Sequence, residues 1–131
     1  MRPIKFRAWD TKKNKMWPAE EMGADELTIN PDGRGFVNVN STSPRLSHYA
    51  THLIPLQFTG LHDRNGKEIY EEDFYRDIDD RVYRIEWGNT TFRFFAVTLE
   101  PPIILFGIDS LKPGEVIGNI YENPELLKVS T

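Results

Sequence analysis

Apolar and polar residues alternate with a period of two along much of the chain, and helical periodicity is almost absent. Ile4, Phe6 and Ala8 alternate with Lys5 and Arg7, the pattern of a half-buried strand. Asp10-Thr11-Lys12-Lys13-Asn14 supplies turn residues and Lys15-Met16-Trp17 a return strand, so the chain is expected to open with a β-hairpin. Pro18 to Met22 suits one helical turn, with proline at its first position and Gly23 ending it. Within residues 23–52, Asn30-Pro31-Asp32-Gly33 marks a turn, a short strand fits Phe36, Val37 and Val39, and Ser41-Thr42-Ser43-Pro44 reads as loop. That stretch is expected to be a partly irregular insertion.

Order resumes from Leu53 to Leu61. Pro55 lacks a donor, which places it at a strand edge or ahead of the strand. Asp63-Arg64-Asn65-Gly66 follows. A type I turn with a left-handed fourth residue fits it, as does a type I′ turn at Asn65-Gly66. Gly66 takes positive φ without steric cost, and Asp63 can accept bonds from amides across the turn. Lys67 to Tyr70 is the return strand.

In Val82 to Trp87, Tyr83, Ile85 and Trp87 face one way, Arg84 and Glu86 the other. Gly88-Asn89 signals a two-residue hairpin. Thr91 to Leu99 reads as a strand apolar on both faces, Phe92 and Phe94 on one, Phe95, Val97 and Leu99 on the other. Such a strand is central or lies in an interface. Pro101-Pro102 stops it, Ile103 to Ile108 is a further strand, Pro113-Gly114 a turn, and Glu115 to Tyr121 the last strand. Asn123-Pro124 opens a final helical turn, with Asn123 as N-cap.

Seven or eight short strands with hairpin signals predict an all-β, mainly antiparallel fold with short helical turns only. The expected arrangement is one domain over residues 1–131. It has a small β-barrel-like portion over 53–131, an N-terminal hairpin over 1–22 packed on it, and the insertion over 23–52. An open two-sheet sandwich is the alternative.

Composition narrows the chemistry. No cysteine is present, which excludes disulfides and thiol or Cys-zinc chemistry. The N-terminus lacks the apolar run of a secretory signal. The longest apolar run, Ile103 to Phe106, is far too short to span a bilayer. A cytoplasmic protein with no membrane partner is expected. The net charge of −4 opposes nonspecific nucleic-acid binding, which needs an excess of cations. The charge is uneven. Residues 1–15 carry six basic side chains against one acid, Asp10, and the remainder ten against nineteen. A solvated basic hairpin explains this most simply, and an acidic partner or second subunit is the alternative.

Three blocks point to a family. They are Ile4-Lys5-Phe6-Arg7-Ala8-Trp9-Asp10, Leu56-Gln57-Phe58-Thr59-Gly60-Leu61-His62-Asp63-Arg64-Asn65-Gly66-Lys67-Glu68-Ile69-Tyr70-Glu71, and Val116-Ile117-Gly118-Asn119-Ile120-Tyr121-Glu122-Asn123-Pro124-Glu125-Leu126-Leu127. Together they resemble the YopX family of small phage and prophage proteins. The resemblance implies a phage-derived cytoplasmic protein, and it brings neither an established activity nor catalytic residues. YopX-like sequences usually continue Tyr-Glu-Gly-Asp where this chain reads Tyr70-Glu71-Glu72-Asp73. Glu72 in the glycine's place implies either a more ordinary backbone or a strained one.

Candidate chemistry is sparse. Asp73, Asp77, Asp79 and Asp80 offer hard oxygen ligands for Mg²⁺ or Ca²⁺ and, with a metal, a hydrolase. A solvated acidic turn protecting a sheet edge is the simpler reading. His48 and His52 are four apart but lack the Glu of a metalloprotease helix. His62 beside Asp63 could be an oriented base, though the turn already explains Asp63. Arg84, Trp87 and Arg93 among Phe92, Phe94 and Phe95 loosely suggest a base-stacking small barrel, and core packing accounts for the same aromatics. No Gly-rich phosphate loop occurs. The expected protein is a non-enzymatic phage accessory factor that binds no cofactor. It is expected to self-associate through Phe95, Val97 and Leu99 and to bind a host or phage macromolecule.

Overall fold

The computed structural model of the chain describes residues 4–24, 27–29, 35–38, 52–88 and 90–128. Strand accounts for 51% of it and helix for 12%, so the fold is all-β. The elements are β1 (Phe6–Asp10), β2 (Lys15–Trp17), α1 (Ala19–Ala24), β3 (Leu27–Ile29), β4 (Phe36–Asn38), β5 (Leu53–His62), β6 (Glu68–Tyr70), β7 (Asp73–Asp77), β8 (Val82–Gly88), β9 (Arg93–Thr98), β10 (Leu105–Gly107) and β11 (Gly114–Asn119). Short 3₁₀ turns occupy Ile108–Ser110 and Pro124–Lys128. No helix among the described residues is long and apolar enough to cross a membrane. Two compact units divide these residues, Ile4–Gln57 and the chain from Phe58 onward.

In the first unit β1 pairs antiparallel with β2, placing Ala8 opposite Trp17, and with the first half of β5, placing Ala8 opposite Pro55. Pro55 therefore sits inside a strand, on a stretch paired with β1. The hairpin turn is built on Asp10. Its Oδ1 accepts the Lys12 and Lys13 N–H groups, both at 2.9 Å, and its Oδ2 accepts the Trp17 indole N–H at 3.0 Å. Asn14 closes the turn at φ 50°, a left-handed position that asparagine tolerates. Ala8, Met22, Phe36 and Leu53 form the core, with Phe6 and Trp17 packed against it. Helix α1 runs through Gly23 rather than ending at it. β4 pairs with β3, a strand the sequence pattern did not reveal. His48 lies outside the described residues.

In the second unit the end of β5 pairs with β6, with an irregularity between Phe58 and His62 where Gly60 takes φ 91°. A curled five-stranded antiparallel sheet follows in the order β10-β9-β8-β7-β11. β7 to β10 form a meander of neighbouring strands, and β11 returns across it to pair with β7. Its inner face places Tyr75, Tyr83, Ile85 and Ala96 in one cluster with Ile69, against which Phe106, Ile108, Leu111 and Val116 pack. Full burial of a side chain such as Ile85 contributes about 1.5–3 kcal/mol.

Three local expectations are corrected. The strand expected from Thr91 begins at Arg93, and Gly88 pairs with Arg93, so a four-residue connection replaces the two-residue hairpin. Phe92 belongs to that connection. It takes φ 54° and donates its N–H to the Gly88 carbonyl at 2.7 Å, and it is 76% exposed rather than aligned with Phe94. Asn123 stands at the expected cap position, its carbonyl accepting the Leu126 N–H at 3.1 Å, but its side-chain Oδ1 turns to the Asn119 N–H at 3.2 Å rather than into the turn. The acidic run does not guard a sheet edge: β7 is an interior strand and both Asp73 and Asp77 are buried, while Asp79 and Asp80 lie exposed in the turn that follows.

Candidate functional site

Three of the four carboxylates proposed as metal ligands, those of Asp73, Asp77 and Asp79, are engaged by the fold. Asp73, fully buried, accepts the Tyr70 N–H at 2.8 Å. Asp77 accepts the Asp79 and Arg81 N–H groups at 2.9 and 3.1 Å and the Tyr83 hydroxyl at 3.0 Å. Burial, and then the Asp77 carboxylate, push the Tyr83 phenol above its ordinary pKa. Asp79 accepts the Lys112 ammonium at 2.6 Å, and that bond holds its carboxyl below the usual range. Asp80 sits at φ 62°, the positive-φ corner of the turn Asp77 caps. Among the described residues no group of three or more His, Asp or Glu side chains could hold a metal ion.

Asp63 repeats the device of Asp77. Its Oδ1 accepts the Asn65 and Lys67 N–H groups, each at 2.9 Å, with Gly66 at φ 83°. Its Oδ2 accepts the Val116 N–H of β11 at 3.0 Å. Burial works to raise this carboxyl's pKa, but the bonds from Val116, Lys67 and Asn65 outweigh it, and the net direction is down. A carboxylate with three backbone donors is a structural tie rather than a general base. His62 beside it is exposed.

Glu72 has φ 70°, so the backbone keeps the conformation that glycine would suit. Its N–H donates to the Ile85 carbonyl at 2.6 Å and its carbonyl accepts the Ile120 N–H at 3.1 Å. Its carboxylate accepts the Arg84 guanidinium at 2.7 Å. Burial tends to lower the Arg84 pKa, but the bond and charge of Glu72 together with the charges of Glu86 and Tyr121 outweigh it, and the net direction is up.

The two arginine candidates are each paired with an acid, and Trp87 packs on a neighbouring ring. Arg84 is half-buried on Glu72, with Glu86 at 3.9 Å. Arg93 crosses Phe95, its guanidinium 5.4 Å from the ring centre, and reaches Asp109 at 3.2 Å. A side chain at Gly107 would collide with that guanidinium, so the glycine is what lets Arg93 lie flat. Trp87 packs edge-on against Phe94 at 4.9 Å.

Phe95, Val97 and Leu99 are half-buried. Phe95 and Val97 project from the outer sheet face, where Leu105 of β10 lies directly opposite Val97. Leu105 and its neighbour Ile103 are 59% and 62% exposed. This edge escaped the sequence reading because strand order is not local. The only signal was the uncharged stretch of residues 101–108.

A family model described as YopX protein matches residues 5–128. The chain belongs to the YopX family. Two solved structures of similar fold bracket it. Protein EF1440 from Enterococcus faecalis is 25% identical, with 97% of this chain and 99% of that one covered and a TM-score of 0.62. Protein yopX from Bacillus subtilis is 19% identical over the whole of both chains, with a TM-score of 0.59, and shows the fold alone. No curated protein matches the chain. For a YopX protein, then, the Asp63 and Glu72 regions identified from sequence are elements of the fold, and the face around Leu105 is one of the exposed apolar surfaces among the described residues.

Proposed function

We propose that this YopX-family chain acts without catalysis, as a phage-derived cytoplasmic factor that associates with itself and binds a host or phage macromolecule. The observation that supports this is the outer apolar strip of Phe95, Val97 and Leu105 with exposed Ile103 beside it. Among the described candidates, Glu72, Arg84, Arg93, Asp79 and Asp63 are meanwhile engaged with opposite charges or with backbone amides. Light scattering across micromolar concentrations tests the first half, and a monomer throughout would count against it. Affinity capture from infected or lysogenic cells, followed by reconstitution with the purified partner, tests the second. Gel shifts with single-stranded DNA and RNA at low salt separate the small-barrel nucleic-acid reading, which expects binding that weakens steeply with salt. Calorimetric heat with Mg²⁺, Mn²⁺ or Ca²⁺ would revive the metal-dependent hydrolase.

A further inference from the structure

The two edges of the five-stranded sheet are treated differently. On β11, the Gly114 carbonyl accepts the Arg64 N–H at 2.9 Å and the Val116 N–H is taken by Asp63. On β10, the backbone of Ile104 bonds inward: its N–H donates to Thr98 Oγ1 at 2.8 Å and its carbonyl accepts the Thr98 N–H at 3.0 Å. Antiparallel alternation then turns the N–H and C=O groups of Leu105 and Gly107 outward, where no strand pairs with them among the described residues. Edges are ordinarily guarded by charge, proline or a bulge. Residues 101–108 carry no charge, and their prolines, Pro101 and Pro102, precede the strand instead of interrupting it.

We propose that β10 is a seam at which two copies of this chain pair edge to edge, antiparallel, about a two-fold axis through Leu105. This rests on the self-association reading above. The two Leu105 residues exchange both backbone bonds, and Ile103 of each copy lies opposite Gly107 of the other, a branched side chain against a position with none. Charge selects the direction. The antiparallel arrangement carries exposed Glu100 toward the end where the second copy holds the Arg93–Asp109 ion pair, whereas a parallel one sets Glu100 beside Glu100, and like charges directly opposite are destabilising. Nucleic acid would meet no cation along the seam itself. The uncharged stretch is short against the roughly 20–30 residues per side of a standard interface. The pairing is therefore weak and concentration-dependent.

Sedimentation velocity and hydrogen exchange on the full chain, from about 1 μM to about 1 mM, test the seam. Exchange at the Leu105 and Gly107 amides should slow as concentration rises. Leu105→Pro removes an N–H that points away from β9, and Leu105→Lys places a charge on the axis. Each should weaken association at least tenfold, with the unfolding midpoint little changed. Unaltered association in a folded variant, or concentration-independent exchange at Leu105 while the chain dimerises, overturns the seam and leaves self-association standing. A chain that stays monomeric across the range overturns both. If Leu105→Pro does not fold, Leu105→Lys and the wild-type exchange decide.

Discussion

Replacing Glu72 by glycine and by alanine separates two opposing effects at one position. The φ of 70° costs a non-glycine residue roughly 1–2 kcal/mol. Gly relieves that cost but gives back about 0.5–1 kcal/mol through its greater freedom in the unfolded chain. Against this stands the carboxylate. Glu72 and Arg84 are 16% and 29% exposed at the side chain and 2.7 Å apart, and a hydrogen bond to a charged group of this kind is worth about 1.5–3 kcal/mol. Alanine keeps the strain and loses the bond, so it should cost about 1.5–3 kcal/mol. Glycine loses the bond and sheds the strain, so it should cost roughly 1 kcal/mol less than alanine. The predicted order is Glu72, then glycine, then alanine. Urea unfolding at neutral pH, compared through midpoints at constant slope, reads it directly. Alanine equal to or more stable than glycine would refute the strain. Glycine well above wild type would refute the ion pair's contribution.

Asp63→Ala leaves three backbone N–H groups without their acceptor and should cost about 2–4 kcal/mol, seen as a fall in urea midpoint. The bonds from Val116, Lys67 and Asn65 hold the folded Asp63 carboxyl below the ordinary aspartate pKa. Its contribution is therefore present above that value and is lost as pH falls through the folded pKa. Asp63→Asn should remove this part of the acid-side slope, and an unchanged slope would show that other carboxylates govern acid unfolding. Gly114→Ala and Gly107→Ala should differ sharply. A Cβ at 114 strikes the Arg76 carbonyl and the Asp77 backbone, whereas at 107 it strikes the flexible end of Arg93. The first should cost about 1–3 kcal/mol or more and the second less than about 1 kcal/mol by thermal melts; equal losses would contradict the packing described.

What the sequence made legible was local. The Asp63–Gly66 turn could be read because its geometry is dictated by four adjacent residues. The Asp77 turn has the same construction, but Asp80 stands where Gly66 would be, so it looked like part of an acidic surface. Aromatics favour strands, and nothing in the Phe92 side chain announces a positive φ. Only the family pattern singles out Glu72, and that pattern fits an ordinary backbone as well as a strained one. The β10 edge was invisible for a different reason. Its exposure follows from β11 pairing with β7 rather than with β10, and that choice is made across residues 73–119. Likewise Arg84 and Arg93 looked available because their acceptors, Glu72 and Asp109, are 12 and 16 positions away.

The return of β11 to β7 also orders the folding reaction. β7 to β10 are joined by short connections and need only local closure, while β11 must bring Gly114 to Asp77, and the Asp63 tie spans 53 positions to Val116. Loop-closure entropy delays such pairings. Substitutions at Ile85 or Ala96 should therefore slow folding, and those at Val116 should chiefly speed unfolding. Until β11 arrives, β7 presents a second bare edge. The interval before that strand docks is when newly made chains are most prone to pair with one another, and the Asp63 carboxylate helps end it.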